Sequence, residues 1–520
     1  MKQKEKVRIM FAKVFSAAVK GIEAYLIEIE VDLTRGWPSV VMVGLPDTAV
    51  KESRDRIRTA LSNAGYKFPS RAKLTINLAP ADLKKEGSVY DLPIALGIMA
   101  AAEQVQSNKL KDYAVMGELA LDSTLRPVKG ALSMALTCLQ QGLKGIILPS
   151  QNAAEAGVVE KIDVIPVTTL SDAVGFLNNQ ISIQPLRIKM EDVFRRENIY
   201  DFDFADVKGQ AHVKRAITVA AAGGHNILMI GPPGSGKTML AKRIPSILPD
   251  LTIGESLETT RVHSIAGLLH SGESLVGTRP FRTPHHTISD AGLVGGGTFP
   301  RPGEISLAHH GVLFLDELPE FHRKTLEVLR QPLEEGTVTI GRASASITYP
   351  TKFMLVAAMN PCPCGFWGDP KHECHCTPRQ IQNYLSRVSG PLLDRIDIHL
   401  DVPAIAYRDL ASKIESTSSS EIRKIVILAR EIQIKRFTHD KITTNSQMTN
   451  RQIKKYGRID EPSEVLLKQA IDELGLSARA YTRILKVART IADLENNSDI
   501  QVQHISEAIQ YRSLDRSRFG

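Results

Sequence analysis

Apolar runs of strand length and apolar residues at helical spacing alternate along the first third of the chain. Leu74–Leu78 and Gly145–Leu148 are short runs rich in aliphatic and β-branched residues, which predict strands. Ala49–Ala64 has the spacing of a helix. From this mixture we predict a compact α/β domain over residues 1–185. The charged, weakly periodic stretch after it predicts a linker at 186–203.

A second alternation of strands and helices follows the predicted linker. The apolar run His225–Ile230 predicts a strand that leads through a glycine-rich loop into a helical pattern. Two further apolar runs, Val312–Leu315 and Phe353–Met359, predict buried strands, and Gly336–Tyr349 predicts two short strands joined by a turn. We therefore predict an α/β core over residues 204–410.

The C-terminal part of the chain has helical spacing without a strand pattern. Ile422–Phe437 and Ser463–Leu494 both carry apolar residues at helical intervals. The serine-rich stretch Glu415–Glu421 predicts a hinge in front of them. We predict a helical subdomain over residues 411–520, so the fold class is α/β with a helical lid.

Composition and charge limit the class of protein. A length of 520 residues corresponds to about three domains, and 43% hydrophobic with 23% charged residues is typical of folded chains. The net charge of +8 permits nucleic acid as a partner but does not indicate it. Five cysteines exclude a disulfide-stapled scaffold. The start of the chain has no signal-peptide pattern, and the apolar stretch Leu92–Ala102 is too short for a membrane helix, so we expect a cytoplasmic protein.

The glycine-rich loop fits the eight-position pattern of phosphate-binding loops and has a strand before it and a helix after it. Glycine lets backbone amides wrap phosphates, and the helix N-terminus adds a favourable dipole. Lys237 is predicted to reach the β and γ phosphates, and the Thr238 hydroxyl to coordinate Mg²⁺. The predicted nucleotide-binding residues are Gly231, Pro232, Pro233, Gly234, Ser235, Gly236, Lys237, Thr238 and Asp316.

Polar residues end two of the predicted buried strands. Asp316 and Glu317 follow Val312–Leu315, and parallel strands would present both carboxylates at the carboxyl edge of the sheet. Asp316 is predicted to hold Mg²⁺, and Glu317 to orient and deprotonate the attacking water, which indicates nucleotide hydrolysis. Asn360 ends the next strand and is either a sensor of the γ phosphate or a turn residue before Pro361.

These motifs occur in the order of a known family. From about residue 204 to 512 the chain resembles AAA+ ATPases of the magnesium-chelatase-like branch, close to the minichromosome maintenance helicases, and the whole chain resembles the bacterial YifB/ComM family. The resemblance implies an AAA+ P-loop core with a helical lid. It also implies sensor 1 at Asn360, an arginine finger at Arg395, sensor 2 at Arg479, ATP with Mg²⁺ as cofactors, and assembly into a ring, usually a hexamer.

Two insertions resemble the pore-lining elements of ring helicases. One contains the basic stretch 279–286 and a glycine-rich run, and the other is the predicted hairpin Gly336–Tyr349. Basic side chains there can bind phosphates along a DNA strand without reading its sequence. The alternative is an ordinary hairpin with a solvated arginine. The proposed DNA-binding residues are Arg342, at the position of the basic hairpin tip, with Arg279 and Arg282, and with His285 and His286 nearby.

Four of the five cysteines fall within fifteen residues, as two close pairs in an insertion at 362–376. Cys362, Cys364, Cys374 and Cys376 can close a tetrahedral structural zinc site, in which His372 or His375 can replace one thiolate. The alternative is a loop of four reduced thiols.

The N-terminal domain resembles the Lon-type protease fold, an α+β fold of the ribosomal protein S5 domain 2-like class. Aligning the segment KEGSVYD with the protease pattern places Val89 at the nucleophilic serine and Met134 near the catalytic lysine. A valine cannot attack a peptide bond, so we expect no proteolysis. A shifted pair of Ser88 and Lys129 is the alternative.

Three functions follow from these features. The resemblance implies an ATP-driven DNA motor for branch migration in recombination and natural transformation. The alternative is a chelatase-like or chaperone-like remodeller of a protein partner. An ATP-dependent protease is disfavoured by Val89.

Overall fold

The chain folds into two compact units. The computed structural model describes residues 10–189, 200–270, 272–297, 300–342, 345–405, 416–440, 442–512 and 514, without the side chains of Arg342 and Ala345. The first unit comprises the described residues before the gap at 190–199 together with Ile253–Gly277. The second comprises the described parts of 198–252 and 278–520. The sequence placed residues 253–277 within the ATPase core, whereas the structure groups them with the first unit.

The first unit is built on a seven-stranded mixed sheet in the order β3-β4-β2-β1-β5-β8-β9. Alternating side chains of its long strands, among them Val14, Ile29 and Val31, are fully buried beneath helices. The predicted strands at Leu74–Leu78 and Gly145–Leu148 are confirmed as β4 and β8. The strands are β1 Met10–Lys20, β2 Glu23–Thr34, β3 Ser39–Val43, β4 Lys73–Ala79, β5 Tyr113–Val115, β6 Glu118–Leu119, β7 Leu125–Arg126, β8 Gly145–Pro149 and β9 Asp163–Val167, and the helices are Thr48–Asn63, Asp91–Ala101, Ala131–Gln140, Ala153–Ala156 and Leu170–Leu177.

The helix Ile253–Ala266 belongs to the first unit although it follows the phosphate loop in sequence. Arg261 donates from Nη2 to the carbonyl oxygen of Ile22 at 2.7 Å. Ser264 accepts from the amide of Gly130 at 2.9 Å and donates to the buried Glu155. Because these partners lie more than a hundred residues away in sequence, local patterns gave no signal of this placement.

The second unit is built on a five-stranded, fully parallel sheet in the order β11-β14-β17-β10-β18. Its three central strands are buried along their whole length, as is usual for parallel sheets covered on both faces. The carboxyl ends of β10, β17 and β14 are neighbours, so the residues that follow these strands meet at one edge. The strands are β10 Ile227–Ile230, β11 Phe281–Arg282, β14 Val312–Leu315, β17 Met354–Met359 and β18 Ile398–Asp401.

Two antiparallel hairpins accompany this sheet. Gly295–Gly296 (β12) pairs with Arg301–Pro302 (β13), and Thr337–Arg342 (β15) pairs with Ala345–Pro350 (β16). The second pair confirms the hairpin that the sequence predicts. The remaining helices of the core are Ala211–Gly223, Lys237–Ile247, Asp290–Val294, Glu304–Leu307, Arg323–Glu327, Arg330–Glu335, Pro378–Leu385 and Gly390–Leu393.

The C-terminal residues are helical, as predicted. The spacing over Ser463–Leu494 covers two helices, because Gly475 adopts φ +63° and ends the first of them. The predicted hinge Glu415–Glu421 already contains a helix start, where Ser418 caps the helix in a capping box with Glu421. None of the described helices is both long and apolar enough to cross a membrane. The C-terminal helices are Ser419–Arg436, Asn450–Tyr456, Glu461–Leu474, Ala478–Leu494 and Val502–Gln510.

A buried polar network joins the parallel sheet to the C-terminal helices. Asp397 accepts a hydrogen bond from Arg483 Nη1 at 2.7 Å and lies 3.2 Å from His225 Nδ1. His225 Nε2 lies 2.8 Å from the Thr490 hydroxyl. Burial opposes ionisation of Asp397, but the charge of Arg483 and the contact with His225 outweigh it and hold the pKa of this carboxyl well below its usual range.

We expect Asp397→Asn to lower the free energy of unfolding of the second unit by about 3 kcal/mol, because the half-buried Arg483 loses its counter-ion. Since the folded pKa of Asp397 is depressed, its contribution is present above the pKa of the unfolded chain, about 3.9, and is lost as the pH falls below it. Urea denaturation at pH 7.5 and at about pH 3, which lies below the pKa of the unfolded chain, measures both effects. The exposed Asp472→Asn is the matched control, and equal midpoints for the two variants at pH 7.5 would contradict this assignment.

Candidate active site

The glycine-rich loop joins β10 to the helix Lys237–Ile247, as the sequence predicts. Gly234 and Gly236 have φ values of +77° and +90°, which L side chains rarely adopt. Gly236 caps the helix, so the loop amides and the helix N-terminus converge on one place. This arrangement suits a phosphate group.

Lys237 is the first residue of the helix that follows the loop, and it is 8% exposed. Its Nζ donates to the carbonyl oxygens of Gly231 and Pro232 at 2.8 and 2.9 Å. It also lies 3.3 Å from Asn360 Oδ1, which joins the loop to the end of β17. Burial lowers the pKa of Lys237, whereas the charge of Asp316 acts in the opposite direction. An anionic ligand in the loop would favour the charged form.

Thr238 and Asp316 meet as the sequence predicts. The Thr238 hydroxyl donates to Asp316 Oδ2 at 2.6 Å, and the amide of Glu317 donates to Asp316 Oδ1 at 2.9 Å. Both oxygens of the carboxylate are therefore held in place. A hydroxyl and a carboxylate side by side are hard oxygen donors, and this donor set fits Mg²⁺.

Glu317 follows Asp316 with a φ of +52°, an unusual value for a residue with a side chain. Its side chain is 59% exposed, as a group that must reach a substrate water requires. His286 Nδ1 lies 3.4 Å from Glu317 Oε2. The sequence grouped His286 with DNA-binding residues and missed this contact. The pairing of β11 with β14 explains it, because the chain that leaves β11 arrives beside Glu317.

Arg395 and Arg479 lie close together, each beside an acidic group. Arg395 is 5% exposed, donates from Nη1 to the Pro391 carbonyl at 2.5 Å and pairs with Glu334. Arg479 is exposed and lies 3.6 Å from Asp394. Among the described residues, neither arginine forms a hydrogen bond or ion pair with the phosphate loop. Their roles as arginine finger and sensor 2 stay predictions.

The basic residues predicted to bind DNA have different surroundings. Arg279 donates to the carbonyl oxygens of Pro249, Asp250 and His310 at 2.6, 3.1 and 2.7 Å. Arg282 forms a bidentate pair with Glu304, at 2.6 and 2.7 Å. These bonds favour a structural role for both side chains, and a role in binding DNA stays a prediction.

The third residue, Arg342, is the last residue of β15, and its side chain lies outside the described part of the structure. The hairpin that carries it packs on the β12–β13 hairpin. Ile340 lies within 2.6 Å of the position that a Cβ on Gly295 would take, and the Tyr349 hydroxyl donates to the Pro300 carbonyl at 2.8 Å. The two insertions predicted to line a pore are therefore side by side.

The four sulfurs of Cys362, Cys364, Cys374 and Cys376, here called the cysteine cluster, lie within 4.8 Å of one another. All four cysteines are free thiols. An amide hydrogen bond from Phe366 is the main cause that lowers the pKa of Cys364, to about 6. His372 is 3.0 Å from Asp369, and His375 is exposed. The sulfurs, rather than the histidines, therefore converge.

Curated relatives match this chain over nearly its full length. Competence protein ComM of Haemophilus influenzae is 45% identical over 511 residues, which cover 97% of this chain and 98% of the relative. Protein YifB of Escherichia coli K12 is 45% identical over 505 residues, 97% of each chain. The chain belongs to the magnesium-chelatase-like YifB/ComM family. The resemblance stated from its motifs is thereby confirmed.

Family descriptions match separate ranges of the YifB/ComM chain. "Magnesium chelatase, subunit ChlI" matches residues 203–410, which contain the whole phosphate-loop site, and "Magnesium chelatase, subunit ChlI C-terminal" matches 416–512. A more distant relative is the zygotic DNA replication licensing factor mcm6-B of Xenopus laevis, 21% identical over 376 residues, which cover 66% of this chain and 40% of that protein.

The N-terminal unit of this YifB/ComM member matches "Subunit ChlI of Mg-chelatase" over residues 29–152. Its likeness to the Lon-type protease fold stays a prediction. Ser88 donates its hydroxyl to Glu118, and the Lys129 stem lies beside Gly267. Val89 is half-buried and Met134 is buried in the core. These surroundings give no support to a serine–lysine pair.

Proposed function

We propose that this chain is an ATPase that uses hydrolysis to move DNA. The observation that carries the ATPase is the meeting of three strand ends: Lys237 lies against Asn360, and Thr238 is bonded to Asp316. Phosphate, metal and water ligands from separate parts of the chain thus share one edge of the sheet. The family to which the chain belongs supports the same reaction, ATP hydrolysis.

The loop amides and Lys237 bind the β and γ phosphates of ATP. Thr238 and Asp316 would hold Mg²⁺, and the bound ion would supply positive charge beside the phosphates. Glu317 orients a water molecule and takes its proton as that water attacks the γ phosphorus. The bond from this phosphorus to the β–γ bridging oxygen breaks, and ADP leaves. Asn360 keeps Lys237 and the phosphate aligned, and His286 restrains the Glu317 carboxylate before the substrate arrives.

We propose that the chain works as a ring, a hexamer by resemblance to AAA+ relatives. In the ring, Arg395 exchanges Glu334 for the γ phosphate bound to a neighbouring subunit, and Arg479 acts as sensor 2 within its own subunit. The N-terminal unit is an assembly or binding module without proteolytic activity. Among the described residues, Arg395 is buried but pairs with the half-exposed Glu334, and Arg479 is exposed and lies beside Asp394.

The DNA track is proposed from the two insertions that pack together. The β12–β13 and β15–β16 hairpins meet through Ile340 and Tyr349, and Arg342 lies at the end of β15. An arginine at a hairpin tip binds backbone phosphates through charge rather than base identity. The names of relatives, a competence protein and a DNA replication licensing factor, support DNA as the substrate.

For this family we propose branch migration of recombination intermediates, which would help to integrate incoming DNA during natural transformation. A four-way junction is then the substrate, and ATP hydrolysis drives its conversion into duplex arms. A protein remodeller would hydrolyse ATP without acting on such a junction.

Arg342→Ala tests the DNA track on a fluorescent four-way junction. We expect ATP-dependent conversion by the wild type and its loss in the variant, with weaker binding of all DNA sequences alike and a salt slope that falls by about 1 per lost contact. Arg458→Ala is the control. It removes an exposed arginine between the helices Asn450–Tyr456 and Glu461–Leu474, and it should convert the junction like the wild type.

If Arg342→Ala converts the junction at the wild-type rate, the proposed DNA track is wrong. Wild-type chain that hydrolyses ATP but leaves every junction intact would favour the remodeller of a protein partner instead.

A further inference from the structure

The separations in the cysteine cluster match those of sulfurs around a shared metal ion. Cys362 Sγ is 3.3 Å from Cys364 Sγ and 3.7 Å from Cys374 Sγ, and Cys364 Sγ is 3.6 Å from Cys374 Sγ. Four thiolates 2.3 Å from one tetrahedral ion lie about 3.8 Å apart. A disulfide would need about 2.05 Å. The geometry therefore fits a four-sulfur zinc site.

The surroundings of the cluster suit a structural metal. Cys362 is fully buried, and the Trp367 amide donates to its sulfur at 3.3 Å. The sulfurs of the other cysteines pack partly buried against the same apolar core. Amide donors to the sulfurs and an apolar shell are the second-shell features of a stable metal site, and four protein ligands leave no position for substrate.

The turn that follows Cys362 and Cys364 packs against the phosphate loop. Gly365 follows the ligand Cys364, has a φ of +89°, and its amide donates to the Cys362 carbonyl at 3.0 Å, closing a tight turn. A Cβ on Gly365 would lie only 2.5 Å from Pro233 Cδ. The backbone of the turn thus packs against the loop itself.

The same turn is tied to the residue that contacts Lys237. Asn360 precedes Cys362 by two residues, and its Oδ1 lies 3.3 Å from Lys237 Nζ. An ion bound by both cysteine pairs would link the turn between Asn360 and Gly365 to Cys374 and Cys376, and would so restrain its position. Apart from the cysteines, the turn is closed by the backbone hydrogen bond from Gly365 to Cys362.

We propose that the cysteine cluster binds one structural zinc ion, and that this ion holds the Cys362–Gly365 turn against the phosphate loop so that ATP affinity depends on zinc. The second part rests on the proposed ATPase. The first part stands without it.

Zinc content of the purified full-length chain tests the site. By elemental analysis we expect about one zinc per wild-type chain, in line with a tetrathiolate site, and less than about 0.1 in the double variant Cys374→Ser/Cys376→Ser. Cys138→Ala removes the one cysteine outside the cluster and should keep the zinc. Wild-type chain with less than about 0.1 zinc, or a double variant that keeps it, overturns the site.

Binding of the fluorescent nucleotide mant-ATP tests the coupling. Wild-type chain stripped with a chelator and returned to Mg²⁺ should bind mant-ATP about tenfold more weakly, and Zn²⁺ should restore the affinity. Unchanged affinity after stripping overturns the coupling. If zinc-loaded wild type binds no mant-ATP, the proposed ATPase and the coupling both fail, while the zinc count still decides the site.

The cysteine variants could lose affinity simply because they fail to fold, so Gly365→Ala tests the coupling without removing a zinc ligand. It keeps all four ligands but puts a methyl group against Pro233, so it should retain zinc and weaken mant-ATP binding. Retained zinc with wild-type affinity would show that the turn does not support the loop and would overturn the coupling.

Discussion

Lys237→Ala should weaken ATP binding at least about a hundredfold, because charge-assisted hydrogen bonds to two phosphates are lost together. The ammonium group is held in the loop by the Gly231 and Pro232 carbonyls and lies against Asn360, so it is already in position when the nucleotide arrives. Alanine would remove the Lys237 donor from both carbonyls, leaving the Pro232 carbonyl with the Ser235 amide at 3.3 Å, and would leave the phosphates without this cation. Equilibrium titration with mant-ATP measures the loss.

Lys242→Ala is the matched control for this result. Lys242 lies on the same helix, five residues further on, and is exposed. It removes one positive charge from the same element without touching the loop. Equal losses of affinity in both variants would mean that the effect comes from overall charge rather than from the loop.

Glu317→Gln should bind ATP like wild type and hydrolyse it about 10² to 10⁴ times more slowly, the usual contribution of a general base. Glutamine keeps the size of the side chain and can still contact His286, but it cannot take a proton from water. Asp316 keeps its bonds to Thr238 and to the amide of residue 317. Mant-ATP affinity and phosphate release, measured on one preparation, separate binding from hydrolysis.

Glu320→Gln is the control for the glutamate. Glu320 follows three residues later, is exposed, and pairs with Arg387 at 2.9 Å on the surface. Its variant should hydrolyse ATP at the wild-type rate. If Glu317→Gln hydrolyses ATP as fast as Glu320→Gln, another group acts as the base.

The core of the site was predictable because its signals are local. A strand, six loop residues and a helix are contiguous at Ile227–Ile247, and two carboxylates directly follow the apolar run of β14. Parallel strands present their ends at one edge, so the pattern also predicts that Thr238 and Asp316 lie close together. The hydrogen bond between Thr238 and Asp316 is therefore the contact of the site that the sequence predicts most directly.

Other parts depend on contacts between distant residues. The sequence could not show that Arg279 bonds to Pro249, Asp250 and His310, because those carbonyls come from two separate segments. It could not assign residues 253–277 to the first unit, because Arg261 finds its partner at Ile22. The contact of His286 with Glu317 likewise depends on the pairing of β11 with β14.

Two helix ends that the apolar spacing does not locate carry local signals in the sequence. Gly475 within the spacing of Ser463–Leu494 is a typical helix end, and it adopts the left-handed conformation there. Ser418 and Glu421 form the serine-to-glutamate spacing of a capping box inside the predicted hinge. Apolar periodicity shows which face of a helix is buried but not where the helix begins or ends. It therefore separates neither Glu461–Leu474 from Ala478–Leu494 nor the Ser418 cap from the predicted hinge.

The rate of ATP hydrolysis by the wild-type chain, with and without single-stranded and branched DNA, tests the central claim most directly. Glu317→Gln gives the background rate of the preparation, and Arg342→Ala shows whether the hairpin transmits the effect of DNA. The account predicts hydrolysis that DNA stimulates in the wild type and not in Arg342→Ala. A rate that is the same with and without DNA would contradict a DNA motor and favour a remodeller of proteins.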